Sequence, residues 1–272
     1  MKERSLTDLF HRVKKVLPEE QELLTFYPEK TVAEALKEMR DRNLSQVPVV
    51  AGSEVLGVFS YRSFADGIPK LPKSEKDLMA LPVAEFLEDL TFARMTDDLA
   101  ALLDELDLKD AVLVGSPDRR PQGIITTIDV LRYFYDVASP FIMLGEVELA
   151  VRELIRASVD EEQLVLCIGK SLKQHYDQLG KSAPTSLEEM SLHDYVMLLR
   201  FKETWDKFKG AFGGTPDIVY TKLKPLPDLR NDLFHFRREI TVEEYEQLRQ
   251  VRDWLLKRIR ILEGSKMREQ DD

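Results

Sequence analysis

Cysteine is almost missing from this chain: Cys167 is the only one in 272 residues. That excludes an intrachain disulfide framework and any cysteine-rich metal site. Histidine is nearly as scarce. His11, His175, His193 and His235 are the full set, with no i,i+4 pair and no H-E-x-x-H spacing, so a histidine-built metal site is not expected. Long apolar runs are missing too. The best candidate, Phe141-Ile142-Met143-Leu144, meets Glu146 and Glu148 almost at once, far short of the ~20 residues a membrane span needs. Met1-Lys2-Glu3-Arg4 lacks the apolar core of a secretion signal. These absences lead us to expect a soluble, cytoplasmic protein without a membrane partner. A basic surplus is also lacking. The net charge of -10 and pI near 5.1 speak against general coating of nucleic acid, and DNA is not expected as a partner.

With 43% hydrophobic residues, the chain can bury real cores in one or two domains. Residues 1 to about 19 mix apolar and basic positions at helical spacing and predict a short helix. An order of elements then occurs twice. Thr31 to Met39 reads as a helix, Gln46 to Val50 as a strand, Ala51 to Glu54 as a turn, Val55 to Phe59 as a strand, and Ser60 to Ala65 as the start of a helix. About 65 residues on, Thr96 to Leu106 is a helix and Ala111 to Val114 a strand. Gly115 to Pro121 is a turn, Gly123 to Ile125 a strand, and Thr126 to Tyr135 a helix. A unit that recurs predicts two packed modules over residues 20–138, with repeats at 20–68 and 82–138 and a polar linker from Pro69 to Pro82.

The Pro48-Val49-Val50 strand and the junction Gly123-Ile124-Ile125-Thr126-Thr127-Ile128-Asp129 resemble those of a tandem pair of CBS (cystathionine beta-synthase-type) domains. Such pairs have clefts that often bind adenine nucleotides. The resemblance implies that Thr126 and Asp129 hold phosphate and ribose, and that Lys109, just before a strand, contacts phosphate. The chemistry suits the types, since a hydroxyl at a helix start serves a phosphate and a carboxylate accepts from two ribose hydroxyls. The competing expectation is an ordinary N-cap with an acid at N3. Repeat one carries Ser60 in the corresponding place but Ser63 where the acid should stand, so its cleft is expected to be empty or altered, with Ser60 as a residual contact.

Ala138-Ser139-Pro140 reads as a break, after which only amphipathic helical patterns follow: 141–157, 160–176, 187–208 with a break near Ser191, 219–236 interrupted by Pro225 and Pro227, and a last helix from the capping box Thr241-Val242-Glu243-Glu244 to about Leu262. The expected fold class is therefore α+β: a tandem CBS pair followed by an all-α bundle over residues 139–264 and a disordered tail at 265–272. His175 and His193 are expected to be structural, and Cys167 to be a small buried hydrophobe. From Arg200 to Arg238, nine basic residues face five acidic ones. Within this stretch lies Arg230-Asn231-Asp232-Leu233-Phe234-His235. If Pro227-Asp228 starts the helix with Asp228 as N-cap, Arg230 falls in the first turn, where an anion is favoured. Asn231 and His235, at i and i+4, then share one face.

An all-helical domain with Arg-Asn-x-x-x-His near its end resembles a HEPN (higher eukaryotes and prokaryotes nucleotide-binding) domain. The resemblance covers about residues 141 to 264. It implies a metal-independent endoribonuclease acting as a homodimer on an RNA substrate, with no cofactor required. His235 is then the general acid/base, Arg230 the phosphate clamp and Asn231 an orienting amide. The whole chain is expected to be a nucleotide-regulated enzyme. The alternatives are a non-enzymatic regulator whose helical half serves dimerisation or partner binding and, third, a nucleotidyl-transfer partner or toxin component.

Overall fold

The computed structural model describes residues 12–17, 23–52, 54–72, 77–116 and 120–271. The expectations for residues 1–11, and for side chains beyond residue 264, lie outside the described residues. The chain divides into two compact units, Met1–Tyr135 and Asp136–Asp272.

In the first unit a short helix α1 (Val13–Val16) buries Val13 and Val16 among Leu99, Leu106, Val112 and Ile125. It thus belongs to the core of repeat two, although repeat one is its neighbour in sequence. Repeat one follows as α2 (Val32–Asp41), β1 (Gln46–Ala51), β2 (Glu54–Ser60) and α3 (Tyr61–Gly67). Thr31 starts α2 with a capping box closed by Glu34, which satisfies two otherwise orphaned N–H groups. Gly52, at φ +66, makes the turn between the two antiparallel strands. A two-residue strand β3 (Leu87–Glu88) joins the far side of β2.

Repeat two opens with β4 (Phe92–Arg94) and a 3-10 turn capped by Asp98. Then come α4 (Leu103–Lys109), β5 (Ala111–Gly115), β6 (Pro121–Thr126) and the long helix α5 (Thr127–Arg156). The sheet order is β4-β5-β6, with β4 parallel and β6 antiparallel to β5. Strand β5 is buried throughout, which explains its unbroken apolar sequence. Strands β3 and β4, of two and three residues, are too short for an alternation signal, and the sequence pattern did not reveal them.

The expected break at Ala138-Ser139-Pro140 does not occur, because α5 runs through Pro140. Proline removes the N–H that would serve the carbonyl of Asp136. The Ser139 hydroxyl donates to that carbonyl instead, at 3.4 Å. It also accepts from Tyr245 Oη at 3.2 Å. Ser139 is buried, so these bonds replace water rather than compete with it.

The second unit adds α6 (Glu161–Ser171), α7 (Lys173–Gln178), α8 (Leu192–Arg200), α9 (Trp205–Phe212), α10 (Pro216–Leu223), α11 (Leu226–Phe234) and α12 (Val242–Asp271). Helices are its regular secondary structure among the described residues. Two helices expected to be continuous are divided, at Leu172 and at Phe201–Thr204, and the interruption expected at Pro225 separates α10 from α11. The last helix runs to Asp271 instead of about Leu262, so the stretch expected as a disordered tail continues it. One apolar core, including Val147, Leu154, Tyr195, Phe208 and Leu255, joins α5, α8, α9 and α12.

Replacing Ser139 by alanine leaves the Asp136 carbonyl and the Tyr245 hydroxyl without this partner. We expect a loss of about 1–3 kcal/mol in denaturant unfolding, and a smaller one for Tyr245→Phe, which leaves the carbonyl served.

Candidate functional site

In the first unit the candidate ligand residues sit at the two strand-to-helix junctions. At the β6–α5 junction Asp129 Oδ2 accepts from Thr126 N at 2.9 Å and from Thr126 Oγ1 at 2.6 Å, and Asp129 N donates back to Thr126 Oγ1 at 3.4 Å. The pair is thus closed as a capping box. The end of α4 meets the same junction, where Thr127 N donates to Asp110 O at 3.2 Å and Thr127 Oγ1 to Leu106 O at 3.1 Å. Asp110 turns the chain there with a left-handed φ of 61. Lys109, beside it, sends Nζ to the carbonyl of Asp89 at 2.9 Å and lies 3.9 Å from Glu105.

Repeat one is sealed more firmly. Ser60 and Ser63 form a capping box, both are buried, and Ser60 Oγ donates to Glu88 Oε1 at 2.5 Å. Arg62 then ties the repeats together. It reaches Glu88 Oε2 at 3.1 Å, the Leu108 carbonyl at 2.7 Å and Asp110 Oδ2 at 3.4 Å. The Arg62–Glu88 tie depends on β3, which sequence reasoning missed, so neither residue stood out beforehand.

In the second unit the Arg230–His235 stretch is placed differently from the expectation. Helix α11 begins at Leu226 with Pro225 as N-cap and Pro227 in its first turn. Asp228 is therefore its third residue and not the cap. Arg230 is its fifth, beyond the free N–H groups of the first turn, and the reading of Arg230 as part of a helix-start anion site is corrected. Two prolines set the start, since they fix φ and need no N–H partner.

His235 is the C-cap and is exposed, as is Asn231, whose carbonyl accepts from His235 N at 3.1 Å. The helix then closes with Phe236 N donating to Leu233 O at 3.0 Å and Arg237 N to Asp232 O at 2.9 Å. That is a Schellman motif with Phe236 at φ +50 in the place glycine usually takes. Phe234 and Phe236 pack on Phe141 of α5, at 5.3 and 6.2 Å between ring centroids.

Arg230 is held by residues that the sequence reading did not single out. Its Nε lies 3.8 Å from Glu148 Oε2, and its guanidinium stands 5.0 Å over the Phe234 ring. Glu148 Oε1 also accepts from Arg152 at 2.5 Å. Arg152 Nε donates to Tyr195 Oη at 2.7 Å, and Tyr195 Oη donates to the Leu187 carbonyl at 2.5 Å. Burial works against charge on Arg152, yet Tyr195 and Glu148 outweigh it and raise its pKa. Burial also raises that of the Tyr195 phenol. The signal available beforehand was Glu148-x-x-x-Arg152, an acid four residues ahead of a base on one helix. Nothing in the sequence pointed to Tyr195.

The loop after His235 is clamped by Arg238, which bonds Asp232 at 2.8 Å and Glu244 at 2.6 and 2.7 Å. Arg238, then the Thr241 N–H, hold the Glu244 carboxyl down to about 2. His175 and His193 are exposed neighbours with ring centroids 6.2 Å apart. Cys167 is buried, and that burial raises its thiol pKa. Among the described residues no three His, Cys, Asp or Glu side chains group as metal ligands would, and no helix is long and apolar enough to cross a membrane.

Comparison with known proteins finds a likeness in the first unit. Residues 13–70 match the family model of the CBS domain. Over this segment the chain is similar to the CBS domain. Solved structures similar to the chain include a CBS-domain-containing protein from Agrobacterium tumefaciens (18% identity, 48% of this chain and 98% of that one, TM-score 0.41). A second is the CBS domain of a bacterial CNNM/CorC family Mg2+ transporter in complex with ATP (23%, 45% and 86%, 0.37). A third is a CBS domain pair in complex with 5′-methylthioadenosine and S-adenosyl-L-methionine (19%, 45% and 94%, 0.38). No curated protein matches the chain.

The Glu244 carboxyl gives a pH test of the clamp. Its folded pKa lies below the unfolded value of about 4.3, so its contribution is present above that value and is lost as pH falls toward about 2. The gap in unfolding midpoint between wild type and Glu244→Gln should be constant above about pH 5.5 and close as the pH falls toward that limit.

Proposed function

We propose that the chain is a metal-independent endoribonuclease regulated by an adenine nucleotide. The nucleotide is sensed at Thr126 and Asp129, and RNA is cleaved at Arg230, Asn231 and His235. The enzyme works as a homodimer in which motifs from two copies line one cleft. The observation that carries this reading is the pairing of an exposed imidazole, His235, with an arginine already oriented by Glu148. A histidine kept for the bundle core would be buried there, and this one is not.

The chemistry is transesterification. The RNA 2′-hydroxyl attacks the adjacent phosphorus as His235 takes its proton, and the P–O5′ bond breaks as a proton returns to the leaving oxygen. A 2′,3′-cyclic phosphate and a 5′-hydroxyl result. Arg230 carries the charge that builds on the phosphoryl oxygens, and Asn231 orients the imidazole or the phosphate.

On the sensing side, the CBS resemblance and the Thr126–Asp129 junction support an adenine nucleotide as the regulatory ligand. The cap uses Asp129 Oδ2, so Oδ1 is the oxygen for the ribose hydroxyls. Thr126 and Lys109 serve phosphate, Lys109 by leaving the Asp89 carbonyl. The internal bonds of Ser60 and Ser63 support a single occupied cleft. Regulation then requires that the nucleotide bind two arrangements of the dimer with different affinity.

A second reading, a non-enzymatic regulator whose helical unit docks a partner, is favoured by Phe234 and Phe236, exposed on either side of His235. Cleavage assays on RNA in EDTA separate the two. We expect wild type to cut, His235→Ala to lose about 10²–10⁴-fold, and Arg230→Ala about 10²–10³-fold. No cleavage of any RNA by the wild type would favour the regulator. On the sensing side, AMP, ADP or ATP at 100 times its Kd should stabilise the first unit by about 2.7 kcal/mol. Asp129→Ala should abolish that gain. Cleavage that no bound nucleotide changes would remove the regulatory half of the reading.

A further inference from the structure

Within the second unit, α5 carries a stripe that the unit's described residues leave largely uncovered, exposed at Ile142, Gly145 and Leu149 and half-buried at Ala138. Ala138, Ile142, Gly145 and Leu149 follow one another at spacings of four, three and four residues, the a/d repeat of a helix–helix seam. Ile142 is 56% and Leu149 64% exposed. A Cβ built at Gly145 would meet nothing within 4 Å among the described residues beyond its own helix backbone. The opposite side of α5 carries Met143, Val147, Val151 and Leu154 into the core, so the stripe is a second face.

The order of sizes along the stripe identifies what covers it. The a positions, Ile142 and Leu149, are large, and the d positions, Ala138 and Gly145, are small. When two copies of one helix pair antiparallel, each a position faces a d position of the partner. Ile142 then meets Gly145, and Leu149 meets Ala138, each large side chain filling the space above a small one. A parallel pairing sets large on large and small on small and leaves voids. We propose that α5 of one copy packs antiparallel on α5 of a second copy about a two-fold axis, through Ala138, Ile142, Gly145 and Leu149.

This pairing has a consequence for the Arg230–His235 motif. Helix α11 meets α5 through Phe141 and Glu148, which both occupy the g positions flanking the stripe. In an antiparallel pair the two g edges lie on the same side of the seam. Both copies of the motif therefore border one side and line a single groove. The seam stands on the size pattern alone, whereas the groove's use as a catalytic cleft rests on the ribonuclease reading.

The test uses the full chain and reads mass before activity. By analytical ultracentrifugation the wild type should sediment at twice the 31.4 kDa chain mass. At concentrations where both proteins are monomeric, Gly145→Leu should unfold no more easily than wild type, because the space above it is open in the monomer, yet its dimer dissociation constant should rise on the order of a hundredfold or more. Two cysteine variants fix the direction. Ala138→Cys mixed with Leu149→Cys should form a disulfide-linked pair on oxidation, and neither should do so alone. A monomeric wild type, an unchanged dimer in Gly145→Leu, or Leu149→Cys linking to itself would each overturn the proposal. Loss of cleavage in a Gly145→Leu monomer that keeps its fold would support the shared groove. Full cleavage by that monomer would refute the shared cleft while leaving the seam standing, and a wild type that dimerises but cuts no RNA would refute only the enzyme reading.

Discussion

The helical unit depends on α5 passing through Pro140 without ending. A proline at that position costs the helix one hydrogen bond and crowds the preceding turn, and the buried Ser139 hydroxyl replaces the missing partner of the Asp136 carbonyl. Because the helix continues, its next turns set Phe141, Glu148 and Arg152 at fixed rotations. One side of those turns enters the core through Val147, Val151 and Leu154. Another receives α11 through Phe141 and Glu148. A helix broken at Pro140 would have no reason to hold Glu148 under Arg230.

Glu148 is the electrostatic centre of that arrangement. It lies between two guanidinium groups, Arg152 at 2.5 Å and Arg230 at 3.8 Å. The closer one is anchored by the buried Tyr195, so the carboxylate is fixed from the core side and Arg230 is the partner with freedom to move. An arginine held at 3.8 Å by a shared carboxylate, with 43% of its side chain exposed, keeps part of its guanidinium open to solvent. In contrast, the Arg238–Asp232–Glu244 cluster uses short, two-pronged contacts and serves to fix the loop behind His235.

The first unit shows the same division between committed and available groups. Ser60 and Ser63 spend their hydroxyls on each other's backbone and on Glu88, and Arg62 spends its donors on Glu88, Leu108 and Asp110. At the second junction the cap uses one carboxylate oxygen of Asp129. Two junctions with the same secondary structure thus differ in what they can offer a ligand, and the cause is the side chain three residues into the helix.

Local sequence determined a good deal. The repeated order of helix, strand, turn and strand followed from alternation and turn residues, and the Thr241–Glu244 capping box was legible because its bonds span only three residues. The helical character of the second unit followed from its periodicity. Other features were decided only by the tertiary structure. The start of α11 moved from Asp228 to Leu226, because a proline at the second helical position is as acceptable as one at the first. The run through Pro140 required a buried serine and the phenol of Tyr245, 106 residues away. β3 and β4 exist only because neighbouring strands supply their partners. Glu148, Arg152 and Tyr195 reach Arg230 across three helices, and no spacing along the chain encodes a distance of that kind. The sequence determined which groups were present; packing decided that His235 stayed in solvent and that Arg230 had a carboxylate to hold it.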